Sequence, residues 1–456
     1  MIHGPRIADE AELEAFLAAH PGIDAVQIMI TDPSGVLRGK AVRREELARI
    51  YEAGRQVAGS ILGLDITGED VNETGLVWDT GDADMCARPL AGTLVPAPWL
   101  GPQTGQLMLT MFDANGAPAP ADPRHALVRV VDAFEARGLT PVVACEIEFY
   151  LLREEAGARL VPAGGGRASE RRKIDAYSLQ RLDDLAPLFA DVYAAARAQG
   201  LPAETLMSEY APGQFEITLR HRADALRAVD DAVMFKRLLR GVAQKHGLIA
   251  CFMAKPFTER AGSGLHVHVS LADASGNNLF ASDDPAGTPL LRHAIGGMKE
   301  TMAESLAIFA PNANSYRRFV SRSYAPVAPI WGVNNRSVSL RVPAGPPASR
   351  HVEHRIAGAD ANLYLAVAAV LAAAARGIDG RIDPGPPVEG NGYDQAGERT
   401  LPGSWRRALM VAERSQFLRE ALGAGFMEIF LAIKRQECAR FSAEVSELDY
   451  AWYLRT

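Results

Sequence analysis

Four stretches of this chain alternate apolar and polar side chains with a period of two, the pattern of a half-buried strand. In 142–151, Glu146, Glu148 and Tyr150 fall on one face and Cys145, Ile147 and Phe149 on the other. After a tight turn at Pro212 and Gly213, Gln214, Glu216, Thr218 and Arg220 alternate with Phe215, Ile217 and Leu219. In 265–271, His266, His268 and Ser270 share a face; in 351–356, His351, Glu353 and Arg355 do the same. A single face of this kind is most often solvated strand surface. Four of them, each carrying carboxylate or imidazole groups, predict a convergent site.

Around these strands the apolar spacing shifts to that of helices. It predicts helices over 9–19, 44–54, 123–137, 178–199, 223–246, 287–309, 359–376, 404–412, 415–422 and 424–441. Further strands are expected at 24–31 and 248–257, a hairpin-like unit at 106–113, loops with short strands over 79–98, and a glycine-rich loop at 164–166. Asn115, Gly116 and the prolines at 118, 120 and 123 mark a boundary, giving domains 1–116 and 117–456 of an α+β protein.

Composition narrows the class. With 456 residues the chain is long enough for two domains. A net charge of −7 argues against nucleic acid as a partner. The four cysteines are far apart with no CxxC spacing, which reads as reduced thiols in a cytoplasmic protein. No signal-peptide core is present near the N-terminus, and the alanine-rich segment at 363–375 is too short to span a bilayer, so no membrane association is expected.

Five glutamates (Glu146, Glu148, Glu209, Glu216 and Glu353) and His266 form the candidate metal-ligand set. Oxygen donors with one imidazole favour Mg²⁺ or Mn²⁺ over calcium. Arg317, Arg318, Arg336, Arg341 and Arg355 add guanidinium groups suited to phosphate and carboxylate. Neither a P-loop nor a kinase-type glycine loop is present, so a nucleotide needs another scaffold. Metals and arginines without a nucleophile motif fit phosphoryl transfer.

Taken together and in order, Glu146-x-Glu148, Glu209 with Gly213 to Glu216, Gly262 to His268, Asn314 to Arg318, Asn335-Arg336 with Arg341 to Pro343, and Glu353-x-Arg355 resemble the glutamine synthetase family. Within it, the chain looks more like the glutamate–amine ligases, such as γ-glutamylputrescine synthetase, than like glutamine synthetase itself. The resemblance implies a small N-terminal β-grasp-like domain and a large catalytic domain with a curved antiparallel sheet flanked by helices. It implies ATP and two or three Mg²⁺ or Mn²⁺ ions per site. Glu148, Glu209 and Glu216 would hold the ion beside the acceptor carboxylate; Glu146, His266 and Glu353 would hold the one on the ATP phosphates. Glu204, His268 and Ser270 match nucleotide contacts. Arg318 and Arg355 match the arginines on substrate glutamate, with Gly262 beside them, and Arg336 and Arg341 face the transferred phosphoryl group. The implied assembly is a dodecamer with active sites between subunits.

Departures from the family bear on specificity. Tyr324 stands where glutamine synthetase has a flap glutamate, and Ala58 replaces an aspartate of the ammonium cage, while Asp84 matches its remaining aspartate. Ala261 replaces an asparagine, and His351 occupies a position where arginine is usual. Losing two carboxylates weakens a cage for a small cation. A larger amine can instead use aromatic faces, for which Tyr324 and Trp331 are the candidates. The expected activity is therefore ligation of the γ-carboxylate of glutamate to a primary amine, putrescine, another polyamine or a monoamine, through γ-glutamyl phosphate. The alternatives are an ammonium-using glutamine synthetase and a non-catalytic structural homologue. Tyr393 is close to where some glutamine synthetases are nucleotidylated, but its flanking residues differ and read as an ordinary loop.

Overall fold

The computed structural model describes residues 4, 6–164, 174–395 and 401–456, and it contains two sheets. The first uses β1 (Ala25–Thr31), β2 (Leu37–Arg43), β3 (Arg55–Ala58), β4 (Asp84–Pro89), β5 (Val95–Pro96) and β6 (Thr104–Phe112), in the order β2-β1-β6-β4-β3 with β5 on β6. The expected hairpin-like unit at 106–113 is instead this single strand β6. It runs parallel to β1 and antiparallel to β4, and it is buried from Gly105 to Met111. A strand covered on both faces loses its alternation, which is why it resembles two short segments.

The second sheet holds the four alternating stretches. Its strands are β7 (Thr140–Glu155), β8 (Arg159–Pro162), β9 (Ala203–Ser208), β10 (Gln214–Leu219), β11 (Ile249–Cys251), β12 (Leu265–Ala272), β13 (Trp331–Val333), β14 (Leu340–Val342) and β15 (Val352–His354). The order is β13-β14-β15-β12-β7-β10-β9, with β8 and β11 also on β7, and every pair except β13–β14 is antiparallel. It is a curled sheet flanked by helices. Cys145, Ile147 and Phe149 of β7 are buried in the main core with the helices Pro123–Glu135, Ala225–Lys245 and Leu363–Asp379. The helical side of the sheet thus takes the apolar parity, leaving the other parity for chemistry.

Several expected elements are shorter or broken. The helix over 178–199 divides at Leu185 into Leu179–Asp184 and Ala186–Ala198, with Pro187 in the first turn of the second, where a missing N–H costs nothing. The helix over 287–309 stops at Thr301, whose hydroxyl donates back to the Gly297 carbonyl, and restarts as Leu306–Phe309. Of 248–257 only Ile249–Cys251 pairs as strand. The glycine-rich loop falls mostly outside the described residues, at 165 and 166. A final helix, Glu447–Tyr453, lies beyond the elements that the apolar spacing predicts.

The helix Ala424–Ala443 ties the first sheet to the rest of the chain. Its Ile429 and Ile433 lie in the core of that sheet. Its Glu437 accepts hydrogen bonds from the Ile66 amide at 2.8 Å and from Lys434 at 2.9 Å. Among the described residues no helix is long and apolar enough to cross a membrane.

Candidate active site

Strand register assembles the site. Glu216 of β10 lies directly opposite Glu148 of β7, and His266 of β12 opposite Glu146. Glu353 of β15 lies opposite both His268 of β12 and Arg341 of β14. Directly opposed side chains in antiparallel pairs share a face, about 5 Å apart at Cβ. Four neighbouring strands therefore deliver the carboxylates and imidazoles to one surface, and β14 adds Arg341. Ligand atoms of Glu146, His266 and Glu353 gather within 4.8 Å of one another, as do those of Glu148, Glu216 and His266. His266 belongs to both groups: its Nδ1 touches Glu146 Oε1 and lies 3.5 Å from Glu353, while its Nε2 is 3.7 Å from Glu148.

The protein's own cations balance only part of this charge. At Glu353, burial favours the neutral acid, but the Arg355 guanidinium and His266 overcome it and bring the carboxyl down to about 2. Burial likewise opposes ionisation of Glu146, and His266 and His268 take it well below the usual carboxylate range. Glu216 has the opposite fate. Burial, then Glu146 and Glu148, push its carboxyl up to about 11. Burial and Glu148 push Glu209 to about 7. Like charges forced together in a poorly solvated site take up protons unless a cation joins them. The donor set, mostly carboxylate oxygen with one imidazole, fits hard divalent ions.

A buried amide supports this arrangement. Gln214, 1 % exposed, donates from Nε2 to Gly262 O at 2.9 Å and to Glu148 Oε2 at 3.3 Å. Gly264 N donates to the same Glu148 oxygen at 2.8 Å. A side chain at Gly262 is excluded, because its Cβ would meet Ala254 O at 2.5 Å and Arg318 Cγ at 2.8 Å; one on Gly264 would meet Arg318 Nη2 at 2.7 Å and force that guanidinium to move.

The arginines are positioned unequally. Arg341 donates to Glu353 Oε2 at 2.9 Å and Arg355 to Glu353 Oε1, so Glu353 sits in a guanidinium clamp. The Nε groups of both arginines are buried with no hydrogen-bond partner among the described residues. Two orphaned cationic donors beside a carboxylate cluster are a ready grip for an anion. Arg318 donates to the carbonyls of Ile356 at 2.8 Å and Arg355 at 3.2 Å. Arg336 is exposed, and its charge is felt at Glu209.

Other expected residues are scattered. Ser270 shares the β12 face with His266 and His268. Glu204, on β9, is exposed and paired with Arg220 at 2.5 Å. Tyr324 is exposed, with its ring 6.3 Å from that of Tyr210, next to Glu209. Arg322 and Tyr324 both adopt positive φ, 63° and 59°, an unfavourable conformation for side-chain-bearing residues that marks the flap as a constrained turn. Trp331 does not join them: it is 1 % exposed in the main core, with Nε1 donating to Gly385 O at 2.9 Å, so its ring faces are occupied by packing. The aromatic ring beside Tyr324 is that of Tyr210. Asp84 is exposed on β4 opposite Ala58, and no hydrogen bond or ion pair joins it to the cluster among the described residues. Tyr393 is half-buried and donates to Ala325 O at 2.9 Å, holding the flap from behind.

Comparison with known proteins agrees with this geometry. The family model for the glutamine synthetase catalytic domain matches residues 120–453. γ-Glutamylputrescine synthetase of Escherichia coli (strain K12) is 38 % identical over 449 residues, spanning 97 % of this chain and 94 % of the relative. A glutamate–isopropylamine ligase of a Pseudomonas species is 32 % identical over 445 residues, 96 % of each chain. The solved structure of a GmaS/ADP complex superposes with a TM-score of 0.85 at 29 % identity, covering 97 % of this chain and 99 % of that one.

Proposed function

Because this chain belongs to the glutamine synthetase family, we propose that it is an ATP-dependent ligase joining the γ-carboxylate of glutamate to a primary amine. The convergence of Glu146, Glu148, Glu216, Glu353 and His266 on one sheet face, with Glu209 close enough to feel the charges of Glu148 and Glu146, carries this reading. Glu148, Glu209 and Glu216 would hold one Mg²⁺ or Mn²⁺, and Glu146, His266 and Glu353 a second. Bound there, such ions neutralise carboxylate and phosphate oxygens.

The reaction runs in two steps. A γ-carboxylate oxygen attacks the terminal phosphorus of ATP, the bond to ADP breaks, and γ-glutamyl phosphate forms. The amine nitrogen then attacks the acyl carbon, phosphate leaves, and the nitrogen loses a proton. Arg318 and Arg355 orient the amino acid against the loop at Gly262, with Arg355 Nε as a free donor. Arg336 and Arg341 face the transferred phosphoryl group, where developing negative charge strengthens their hold. Glu204, His268 and Ser270 line the nucleotide end. A primary amine has a pKa of roughly 10 in water, so it must give up its proton in the site; Asp84 or Glu216 accepts it.

The Tyr324–Tyr210 pair provides the amine's aromatic contact, which favours an alkylamine or polyamine over ammonium. Asp84 matches a cage aspartate and is the one feature favouring ammonium. A single assay decides: phosphate release with glutamate, ATP and a panel of putrescine, longer polyamines, monoamines and ammonium. Turnover on organic amines well above that on ammonium is expected; ammonium matching or exceeding all of them overturns the reading. We further propose a dodecamer in which Asp84 serves a neighbour's site. The exposed apolar residues Val445, Leu448, Trp452 and Leu454 at the C-terminal helix support self-association, which sedimentation measures directly. The four free cysteines accord with a reducing cytoplasm.

A further inference from the structure

A second group of ligand-type side chains adjoins the carboxylate centre. His221 follows β10, His268 lies on β12 and His351 immediately precedes β15. Their ring centroids are 5.2 to 5.8 Å apart, and one nitrogen from each falls within 4.8 Å of the others.

Hydrogen bonds outside the trio dictate two of the tautomers. His351 Nδ1 is 2.7 Å from the Ser349 carbonyl, which can only accept, so Nδ1 carries the proton and Nε2 offers a lone pair. His268 Nε2 is 3.3 Å from Glu146 Oε2, so Nε2 donates there and Nδ1 offers a lone pair whenever the ring is neutral. His268 Nδ1 and His351 Nε2 face each other at 3.0 Å. A proton on His268 bridges them, and a metal ion can take that proton's place. A backbone carbonyl behind one imidazole and a carboxylate behind the other are also the partners that orient metal-binding histidines. The 3.0 Å separation is close to the roughly 3.3 Å expected between two nitrogens each about 2.0 Å from a tetrahedral zinc ion.

We propose that His221, His268 and His351 bind one borderline transition-metal ion, with Zn²⁺ the best match, at a site chemically distinct from the oxygen-rich centre. Three imidazoles favour zinc, copper or nickel over magnesium. The exposed side of His221 leaves a fourth position for water. Glu146 joins the two sites, because it backs His268 while facing His266. A consequence, which rests on the assignment of His268 to the nucleotide, is that zinc and ATP compete.

The test uses the full-length protein, stripped with a chelator and then saturated with Mg²⁺. Zn²⁺ is titrated against a colorimetric indicator, and Co²⁺ is added separately to read its visible absorption. The wild type should take up one equivalent of Zn²⁺ and give the intense Co²⁺ bands of a low-coordinate nitrogen site. H351A and H221A should lose both signals while retaining Mn²⁺ uptake at the carboxylates, which shows that they are folded. Zinc uptake unchanged in both variants, or only the pale Co²⁺ spectrum of an octahedral oxygen site in the wild type, overturns the proposal. Loss of the Co²⁺ bands on adding ATP supports the competition; bands that persist leave the three-histidine site standing and remove His268 from the nucleotide. Absence of ligase activity beside intact zinc uptake would count against the proposed reaction alone.

Discussion

Two clusters of buried charge lie on opposite sides of the large sheet, and they are built on different principles. Under the helices, the Asp230 carboxylate receives a two-pronged hydrogen bond from Arg124, 2.9 Å to each oxygen, and a third from the Tyr364 hydroxyl at 2.6 Å. One guanidinium meets one carboxylate in matched geometry. On the other face, Glu146, Glu148, Glu209, Glu216 and Glu353 crowd together with incomplete pairing, and two of the five answer by taking up protons. The first cluster is complete in itself and holds helices together. The second is left unbalanced, and a ligand of positive charge completes it.

Mutation of each cluster separates the two roles. Replacing Asp230 with Ala strands the buried Arg124 charge, so stability should fall by about 3–5 kcal/mol, while Mn²⁺ uptake by the folded protein is unchanged; denaturant titration and metal titration measure the two. Glu216→Gln should do the reverse. Turnover should drop by at least ~100-fold, and the metal-stripped protein should be no less stable than the wild type, because burial and its carboxylate neighbours already hold Glu216 there as the neutral acid, which Gln mimics. If Glu216→Gln is destabilising and active, the contrast fails.

Proton competition sharpens it further. The Glu209 carboxyl is raised in the folded protein from 4.5 to about 7. Its contribution to the stability of the stripped protein is therefore present below pH 4.5 and lost as pH rises through 7. Metal binding must expel that proton and the one on Glu216, so apparent Mn²⁺ affinity should climb most steeply on approaching 7 and by up to about tenfold per pH unit beyond it. A pH-independent affinity contradicts the assignment of Glu209. Gln214→Leu removes the amide behind Glu148 and should weaken Mn²⁺ binding by roughly 10- to 100-fold with little change in fold. Smallest is Tyr324→Ala. A cation–π contact of about 0.5–2 kcal/mol corresponds to roughly 2- to 30-fold in KM for the amine, with KM for glutamate unaffected.

Parity along each strand is legible in the sequence. Glu146 and Glu148, His266 and His268, and Glu216 with Gln214 all lie on the face that period-two alternation assigns them, because a pleated strand permits only two directions. That Glu353 shares its face with His351 and Arg355 follows from the same rule. Candidate metal ligands thus stand out by spacing and residue type.

Which strand lies beside which is decided by the tertiary structure alone. Register pairs Glu216 with Glu148 and His268 with Glu353, partners separated by 68 and 85 positions, and no local pattern encodes such distances. Tyr210 and His221 illustrate the limit. Both follow strand ends, where the alternation stops and the turn aims the side chain. Trp331 shows the converse: its residue type fits an amine contact, but three-dimensional packing puts it in the core. Local stereochemistry determines the direction of a side chain within its own element. Its neighbours are chosen by long-range pairing and burial, which depend on the whole chain.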